Sequence, residues 1–129
     1  MTILGIGSDI VNIQRFGKIL KRNKLFKSRI FSKKEITSCN KKRLKEACFA
    51  KRFAAKEAFL KALGTGLIQG LKFNEITVEK DKLGKPMIKL LGKSNKIVSK
   101  ILKRKRYKVF LSISDENVFA ISSSIIVLL

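Results

Sequence analysis

The chain has 129 residues, of which 45% are hydrophobic, and this size fits one domain, residues 1–129, with a core of its own. It carries 30 Lys and Arg against 9 Asp and Glu, and the formal charge of +21 indicates anionic partners: nucleic acid, phosphorylated small molecules or acidic proteins. The alternative is that the excess is compositional and that much of this charge is solvated surface without a partner. The absence of histidine excludes Ser-His-Asp catalysis, Cys-His catalysis and zinc bound by histidine.

The cysteines and the apolar runs indicate the compartment. Cys39 and Cys48 lack the spacing of a zinc site or a redox motif, and no signal peptide precedes them. No apolar run reaches the length of a bilayer span. We therefore expect reduced thiols in a soluble, cytoplasmic protein without a membrane partner.

The first element is a strand over residues 3–13, which alternate in polarity and are rich in β-branched side chains. Gly5, Gly7 and Asp9 share one face of this strand, so a regular strand leaves the space beside Asp9 free of side chains.

Short helices follow. Residues 15–21 predict an amphipathic helix with a basic face of Arg15, Lys18 and Arg22. Its opposite face gathers Phe16, Ile19 and Leu20. A basic arm continues through residue 29, and the capping-box spacing of Ser32 and Glu35 predicts a second short helix.

The main helix is expected over residues 43–63, ending at Gly64, with a glycine-rich connection over residues 64–70. Phenylalanines and Leu60 gather on one side, alanines on another, and Glu57 lies between these two apolar faces. For a helix that is apolar on so many sides, either the chain wraps it completely or copies of the chain help to cover it, and we expect an oligomer.

The rest of the chain predicts two hairpins and one helix. Residues 73–79 and 86–91 form the first hairpin, residues 94–105 the helix, and residues 107–114 and 118–128 the second hairpin. Strands and helices mix without strict alternation, so we expect an α+β domain in which a mainly antiparallel sheet packs on a long central helix plus shorter helices.

Asp9 and Glu57 lie inside the most apolar stretches of the chain. A buried carboxylate is costly unless a cation or hydrogen bonds compensate it. Because Mg²⁺ commonly takes only one or two protein carboxylates, the pair predicts a magnesium site. The alternative is that Asp9 pairs with a lysine and that Glu57 pairs with Lys61 one helical turn later.

Other residues are candidate contacts for a phosphorylated ligand. Lys56 and Lys61 flank Glu57 and can neutralise a pyrophosphate, unless they are solvated surface cations. Backbone groups of residues 64–66 and the turn at residues 84–86 suit a phosphate, although a helix stop and a simple turn explain them as well. Ser112 either touches a ligand or faces water.

Four segments together resemble a known family in sequence and order: residues 5–16 (GIGSDIVNIQRF), 49–66 (FAKRFAAKEAFLKALGTG), 84–86 (GKP) and 111–114 (LSIS). The chain is similar over essentially its full length to holo-[acyl-carrier-protein] synthases, a family of 4'-phosphopantetheinyl transferases. The resemblance implies attack by a serine hydroxyl of an apo acyl carrier protein on coenzyme A, which leaves a phosphopantetheine arm on the carrier and releases adenosine 3',5'-bisphosphate.

The resemblance also implies the parts of the site. It implies a homotrimer with coenzyme A at the subunit boundaries, Mg²⁺ held by Asp9 and Glu57, and Lys61 near the reacting phosphate. The expected coenzyme A contacts are Arg52, Lys56, Lys61, Gly64, Thr65, Gly66, Lys85, Pro86 and Ser112. The basic face of Arg15, Lys18 and Arg22 is the expected docking surface for the acidic carrier. The general base is left open among Glu57, a carboxylate-held water and bulk solvent.

The chain departs from the family pattern in the penultimate strand, where the histidines of His-x-Ser-x-Ser-His are replaced by Phe110 and Asp115. An acidic side chain beside nucleotide phosphates is unfavourable, which puts the contacts to the adenosine end in question. Two alternative functions are open: a non-catalytic relative of the family that still binds carriers, and a basic nucleic-acid-binding module, which the charge supports. The phenylalanines argue against the nucleic-acid-binding module, because their helical spacing is typical of a core rather than of a stacking surface.

Overall fold

The computed structural model of the protein describes residues 1–68 and 70–129. In chain order the elements are β1 (Thr2–Asn12), α1 (Ile13–Arg22), α2 (Lys24–Ile30), α3 (Lys33–Asn40), α4 (Lys45–Leu63), a 3₁₀ turn (Phe73–Glu75), β2 (Ile76–Lys80), β3 (Pro86–Leu90), α5 (Gly92–Ile101), β4 (Tyr107–Glu116) and β5 (Phe119–Leu128). The predicted connection over residues 64–70 includes Gln69, which lies outside the described residues.

The strands form two antiparallel sheets, which confirms the α+β class. The main sheet has the order β1-β5-β4, so the first strand of the chain and the fourth are its two edges. Strands β2 and β3 form a separate hairpin. Helix α4 lies along one face of the main sheet, and 13 of its 19 residues are buried, so it is the centre of the fold.

Close packing between β1 and α4 depends on two glycines. A Cβ atom at Gly5 would collide with the carbonyl oxygen of Ala62, and one at Gly7 with that of Ala58. The expectation of free space on this face of β1 is therefore wrong, because the helix backbone fills it. Small residues on both elements let the two backbones approach, and this approach brings Asp9 beside the helix.

The reason given for an oligomer also needs correction. Helix α4 is covered by the sheet and by the other helices of the same chain. The uncovered apolar surface is instead the outer face of the main sheet, where large hydrophobic side chains are exposed: Ile6, Ile10, Phe110, Phe119 and Ile121. An exposed patch of this kind is typical of an interface.

Two asparagine caps explain why the predicted basic arm through residue 29 contains a helix. The Asn12 side chain accepts a hydrogen bond from the Arg15 backbone N–H at 2.9 Å, and Asn23 accepts one from Phe26 at 3.2 Å. These caps begin α1 and α2. The predicted capping box is confirmed, since Ser32 and Glu35 bond reciprocally at the start of α3.

Two further boundaries and the burial of one side chain differ from the prediction. Residues 73–75 form a 3₁₀ turn, so β2 begins at Ile76. Helix α5 spans Gly92–Ile101 rather than 94–105, because Lys103 and Arg104 adopt positive φ and cannot continue it. In α1, Ile19 is 42% exposed, so it does not join Phe16 and Leu20 in the core.

Cys39 and Cys48 form a disulfide, so the prediction of two reduced thiols is wrong. The bond joins the end of α3 to the start of α4, and both side chains are buried. The sequence spacing gave no indication of this contact, because it arises only where α3 packs against α4. Within the described residues no helix has the length and hydrophobicity needed to traverse a bilayer.

Candidate active site

Asp9 of β1 and two side chains of α4, Glu57 and Lys61, come together at the β1 edge of the main sheet. The Lys61 ammonium donates to the Asp9 carboxylate at 3.1 Å and to the Ser8 carbonyl at 2.9 Å. Asp9 and Glu57 line the same cavity of about 370 Å³, together with Arg15 of α1. The fold thus gathers two carboxylates that are 48 positions apart in the sequence.

The electrostatics of this cavity disfavour a second negative charge. Burial raises the pKa of Glu57, the nearby Asp9 carboxylate raises it further, and Lys61 opposes both effects. Lys61 forms an ion pair with Asp9. In this structure Asp9 therefore pairs with a lysine, as the alternative to a magnesium site predicts. Among the described residues Glu57 has no such ion pair with Lys61.

The donor set fits a hard divalent cation. Two carboxylates that repel each other gain when a positive ion lies between them, and oxygen ligands are those that Mg²⁺ prefers. In the part of the chain that the structure describes, no cluster of three or more His, Cys, Asp or Glu is present that could hold a metal. A cation here would therefore have two carboxylates of this chain as its acidic ligands.

Lys56 does not line this cavity, and its surroundings give no support to the prediction that it binds coenzyme A. Its side chain is fully buried and donates three hydrogen bonds of 2.7 Å each, to the Glu35 carboxylate and to the carbonyl oxygens of Ile30 and Phe73. With all three donors used inside the protein, the ammonium has none left for a ligand.

Glu35 completes this buried ion pair. Its carboxylate also accepts from the backbone N–H groups of Ser32 and Val78. Burial lowers the pKa of Lys56 to about 8, and the Glu35 charge opposes that effect. The pair joins α4 to the start of α3 and to β2, so it holds the helix in place.

Arg52 faces a second cavity, of about 480 Å³, on the β4 side of α4. Arg52 is 7% exposed, its Nη2 donates to Ser38 Oγ at 2.9 Å, and its Nε has no hydrogen-bond partner in the described structure. Burial lowers its pKa. Four more cations line the cavity, Lys42, Arg43, Lys51 and Lys80. An unpaired buried N–H among cations suits an anionic group.

Two of the remaining predicted ligand contacts lie near this basic cavity. Pro86 lines it, and Lys85 is exposed on the preceding turn, with its ammonium 5.7 Å from the centre of the Phe110 ring. Ser112 lies on the outer face of β4, opposite to the side that faces α4, so within one chain the structure does not bring it to either cavity.

The segment after α4 is a helix stop. Gly64 has φ +85°, and its N–H caps the carbonyl groups of Leu60 and Lys61. Thr65 bonds to the carbonyl oxygen of Gly66. These three residues follow Lys61 closely, but they do not line either of the two cavities described here.

The predicted basic face of α1 is present. Arg15, Lys18 and Arg22 are exposed along one side of the helix, and Arg15 is at the rim of the cavity that holds Asp9 and Glu57. The exposed Ile19 lines the same cavity. The basic face of α1 therefore adjoins the cavity that holds Asp9 and Glu57.

The acidic and the basic cavity lie on opposite sides of one chain. Phe53 and Glu57 line the first, at the β1 edge, whereas Lys51 and Arg52 line the second, at the β4 edge. At 100° per residue, Lys51 points about 160° away from Phe53. The two cavities share no lining residue.

The sequence analysis missed most of the cations in the basic cavity. Lys42 and Arg43 form the short run that precedes α4, and Lys80 ends β2. A basic run before a helix was the available signal, but lysine is so abundant in this chain that the run did not stand out.

Comparison with known proteins gives the class. Residues 5–117 match the sequence profile of the 4'-phosphopantetheinyl transferase superfamily, and the chain belongs to this family. A holo-[acyl-carrier-protein] synthase of Pelagibacter ubique is 49% identical over 95% of this chain and 94% of that protein.

Solved structures agree with the sequence comparison. The holo-[acyl-carrier-protein] synthase of Neisseria meningitidis superposes with a TM-score of 0.86 at 33% identity, covering 98% of this chain and 99% of that one. A Bacillus anthracis holo-(acyl-carrier-protein) synthase in complex with CoA (3',5'-ADP) superposes with a TM-score of 0.77 at 32% identity, covering 98% and 97%. The family resemblance seen in the sequence is confirmed.

Proposed function

We propose that this protein transfers the 4'-phosphopantetheine group of coenzyme A to a serine of an apo acyl carrier protein. Full-length similarity to proteins of that activity supports the proposal. The observation that carries it in this chain is the shared cavity of Asp9 and Glu57, with Lys61 bonded to Asp9. The nucleic-acid-binding alternative has no comparable observation in its favour.

Asp9 and Glu57 are the proposed ligands of Mg²⁺. A magnesium ion held by these two carboxylates would supply Lewis acidity and would help to orient the substrate. Glu57 must be ionised to serve as a ligand, so its raised pKa makes the site weaken as the pH falls toward that value.

Lys61 is the proposed cation beside the reacting phosphate. The hydroxyl oxygen of the carrier serine attacks the phosphorus atom attached to pantetheine. The bond from this phosphorus to the oxygen that bridges the two phosphates breaks, and adenosine 3',5'-bisphosphate leaves with the added negative charge. Lys61 is 53% exposed and can reorient from Asp9 toward that charge. The serine proton passes to Glu57, to a carboxylate-held water or to bulk solvent.

The remaining contacts with coenzyme A are proposed for the basic cavity, with Arg52 at its centre and Lys85 and Pro86 at its rim. Residues 64–66 and Ser112 stay predictions as contacts. Because the acidic and basic cavities of one chain face opposite ways, a ligand that uses both must lie between two copies.

A homotrimer meets this requirement. The edge strands β1 and β4 carry two different half-sites, namely the cavity of Asp9 and Glu57 and the basic cavity of Arg52. A head-to-tail arrangement therefore places the β1 edge of one copy against the β4 edge of the next. Three such contacts close a ring and turn the apolar outer faces of the sheets inward, away from water.

Mixing two inactive variants tests whether sites are shared. Glu57→Ala removes one half-site and Arg52→Met the other. If subunits exchange at random, about one site in four combines both intact halves, so the mixture should recover about a quarter of the wild-type turnover. No recovery after subunit exchange would show that each chain builds its own site. If Arg52→Met proves unstable, Lys42→Ala/Arg43→Ala replaces it, because both side chains are exposed.

The basic face of α1 is the proposed docking surface for the acidic carrier. Removing Arg15, Lys18 or Arg22 should raise KM for the carrier more than it lowers kcat, and the effect should shrink as salt screens the charges. Lys96→Met, a loss of one exposed charge on α5, is the matched control.

The central experiment combines the protein with apo carrier, coenzyme A and Mg²⁺ and measures the intact mass of the carrier. We expect a phosphopantetheine adduct that is absent with EDTA, with Asp9→Ala and with Glu57→Ala. Wild-type turnover by both variants would show that the metal ligands are wrongly assigned. We further propose the acyl carrier protein of fatty-acid synthesis as the substrate, and the cytoplasmic location stays a prediction.

A further inference from the structure

One acidic side chain lies among the cations of the basic cavity. Asp115 ends the helix-facing row of β4 and lines this cavity together with Lys42, Arg43, Lys51 and Arg52. It is the only acidic residue among the described residues that line the cavity. It also lines a neighbouring cavity of about 680 Å³, so it lies between the two.

Lys51 of α4 is the partner of this carboxylate. Its Nζ lies 3.3 Å from Asp115 Oδ1, and the two side chains are 36% and 34% exposed. The contact therefore has two effects on a ligand: a negative charge faces it, and one of the available cations is already bonded to a protein group.

The geometry points to Asp115 as a specificity-determining residue for the nucleotide end of the substrate, with Lys51 as its counter-charge. Asp115 repels a phosphate in the cavity and draws the Lys51 ammonium away from it. Lys51 in turn keeps this repulsion from abolishing binding. This inference depends on the proposed function, since that function supplies the phosphorylated nucleotide.

The two halves of the pair should then have opposite effects on ligand affinity. Asp115→Asn removes the repulsion and frees Lys51, so binding should tighten about three- to tenfold, as expected for one unit charge several ångströms from a phosphate near water. Lys51→Met leaves the carboxylate uncompensated, so binding should weaken by a similar factor. The double variant has the net charge of the original pair and should bind within about twofold of wild type.

Calorimetric titration with adenosine 3',5'-bisphosphate in the absence of carrier measures this directly. Adenosine 5'-monophosphate is the second probe, because it carries less charge. The gain from Asp115→Asn should be larger for the bisphosphate than for the monophosphate, and about 0.5 M NaCl should reduce it.

Two control variants change the same charges elsewhere. Glu116→Gln removes a negative charge one residue away but on the other side of β4, and Lys96→Met removes an exposed positive charge on α5. Neither residue lines the basic cavity, so neither should change affinity by more than about twofold.

The results separate this inference from the proposed function. Opposite shifts in the single variants with cancellation in the double variant support the role of Asp115. Equal affinity in all variants, or weaker binding in both single variants, overturns it while wild-type binding and turnover leave the proposed function intact. Failure of the wild-type protein to bind the bisphosphate or to modify a carrier removes the proposed function and this inference with it.

Discussion

Two lysines on α4 pair with an acidic side chain at similar distances, yet they lie in very different surroundings. Lys56 Nζ is 2.7 Å from Glu35 and its side chain is 0% exposed, whereas Lys61 Nζ is 3.1 Å from Asp9 and 53% exposed. The Lys56 ammonium fills all three of its hydrogen bonds inside the protein, but Lys61 uses two. A cation can serve a ligand only where the fold leaves a donor free.

The largest expected effect separates the two lysines by stability. Lys56→Met leaves the buried Glu35 carboxylate without its counter-charge, so the free energy of unfolding should fall by about 3–5 kcal/mol. Lys61→Met should cost less than about 1 kcal/mol, because the pair is solvated. Urea denaturation measures both. The double variant Glu35→Gln/Lys56→Met should regain part of the loss, and equal losses for the two lysines would contradict the comparison.

The next effect separates them by turnover. Lys61→Met should lower kcat about a hundredfold, the usual cost of removing one group that stabilises developing charge. Lys61→Arg, which keeps a cation, should retain more activity. Carrier modification followed by intact mass gives the rates, and turnover within a few-fold of wild type for Lys61→Met would exclude a role near the reacting phosphate.

The disulfide should stabilise the part of the fold that holds the buried pair of Glu35 and Lys56. It should not affect the exposed pair of Asp9 and Lys61. Cys39–Cys48 connects the helix that carries Glu35 to the helix that carries Lys56, and the bridged residues are 9 positions apart. Closing a loop of this size contributes about 2–3 kcal/mol. A dithiol reductant or Cys48→Ser should lower the free energy of unfolding by that amount, while turnover of the folded fraction is retained.

Cys39→Ser is the matched control for that experiment. The reductant should have no effect on either serine variant, since neither contains the bond. A wild-type protein whose stability is unchanged by the reductant would show that the two thiols are not bonded in solution.

The smallest effect, counted per pH unit, is that of the titration of Lys56. The pKa of Lys56 is lowered to about 8 in the folded protein, so above that pH the folded state loses this proton while the unfolded chain keeps it up to about 10.5. The unfolded state then binds more protons, and stability from this group rises by about 1.4 kcal/mol per pH unit. It is lost again as the pH falls through 8.

The double variant Glu35→Gln/Lys56→Met isolates this contribution, because the other lysines titrate equally in both proteins. Between about pH 8 and 10.5 the stability of wild type should rise relative to the variant. Parallel curves would show that Lys56 keeps its proton throughout this range.

Local patterns determined much of the architecture. Alternation gave β1 and the two hairpins, and apolar periodicity with a glycine stop gave α4, because these signals depend on neighbours in sequence. The boundary errors arose where local chemistry was overlooked, such as the Asn23 cap of α2, or where the backbone turned, as at Lys103.

The sequence by itself determined the fold class, the family and the pairing of Asp9 with Glu57 as candidates, because an acidic residue inside an apolar stretch requires compensation wherever it lies. Tertiary structure alone decided which cations are available to bind a ligand. Lys56 and Lys61 are alike in a linear sequence, but α3 and β2 enclose the first and solvent reaches the second. The disulfide and the Lys51–Asp115 contact are equally products of the fold, since packing of distant elements creates both.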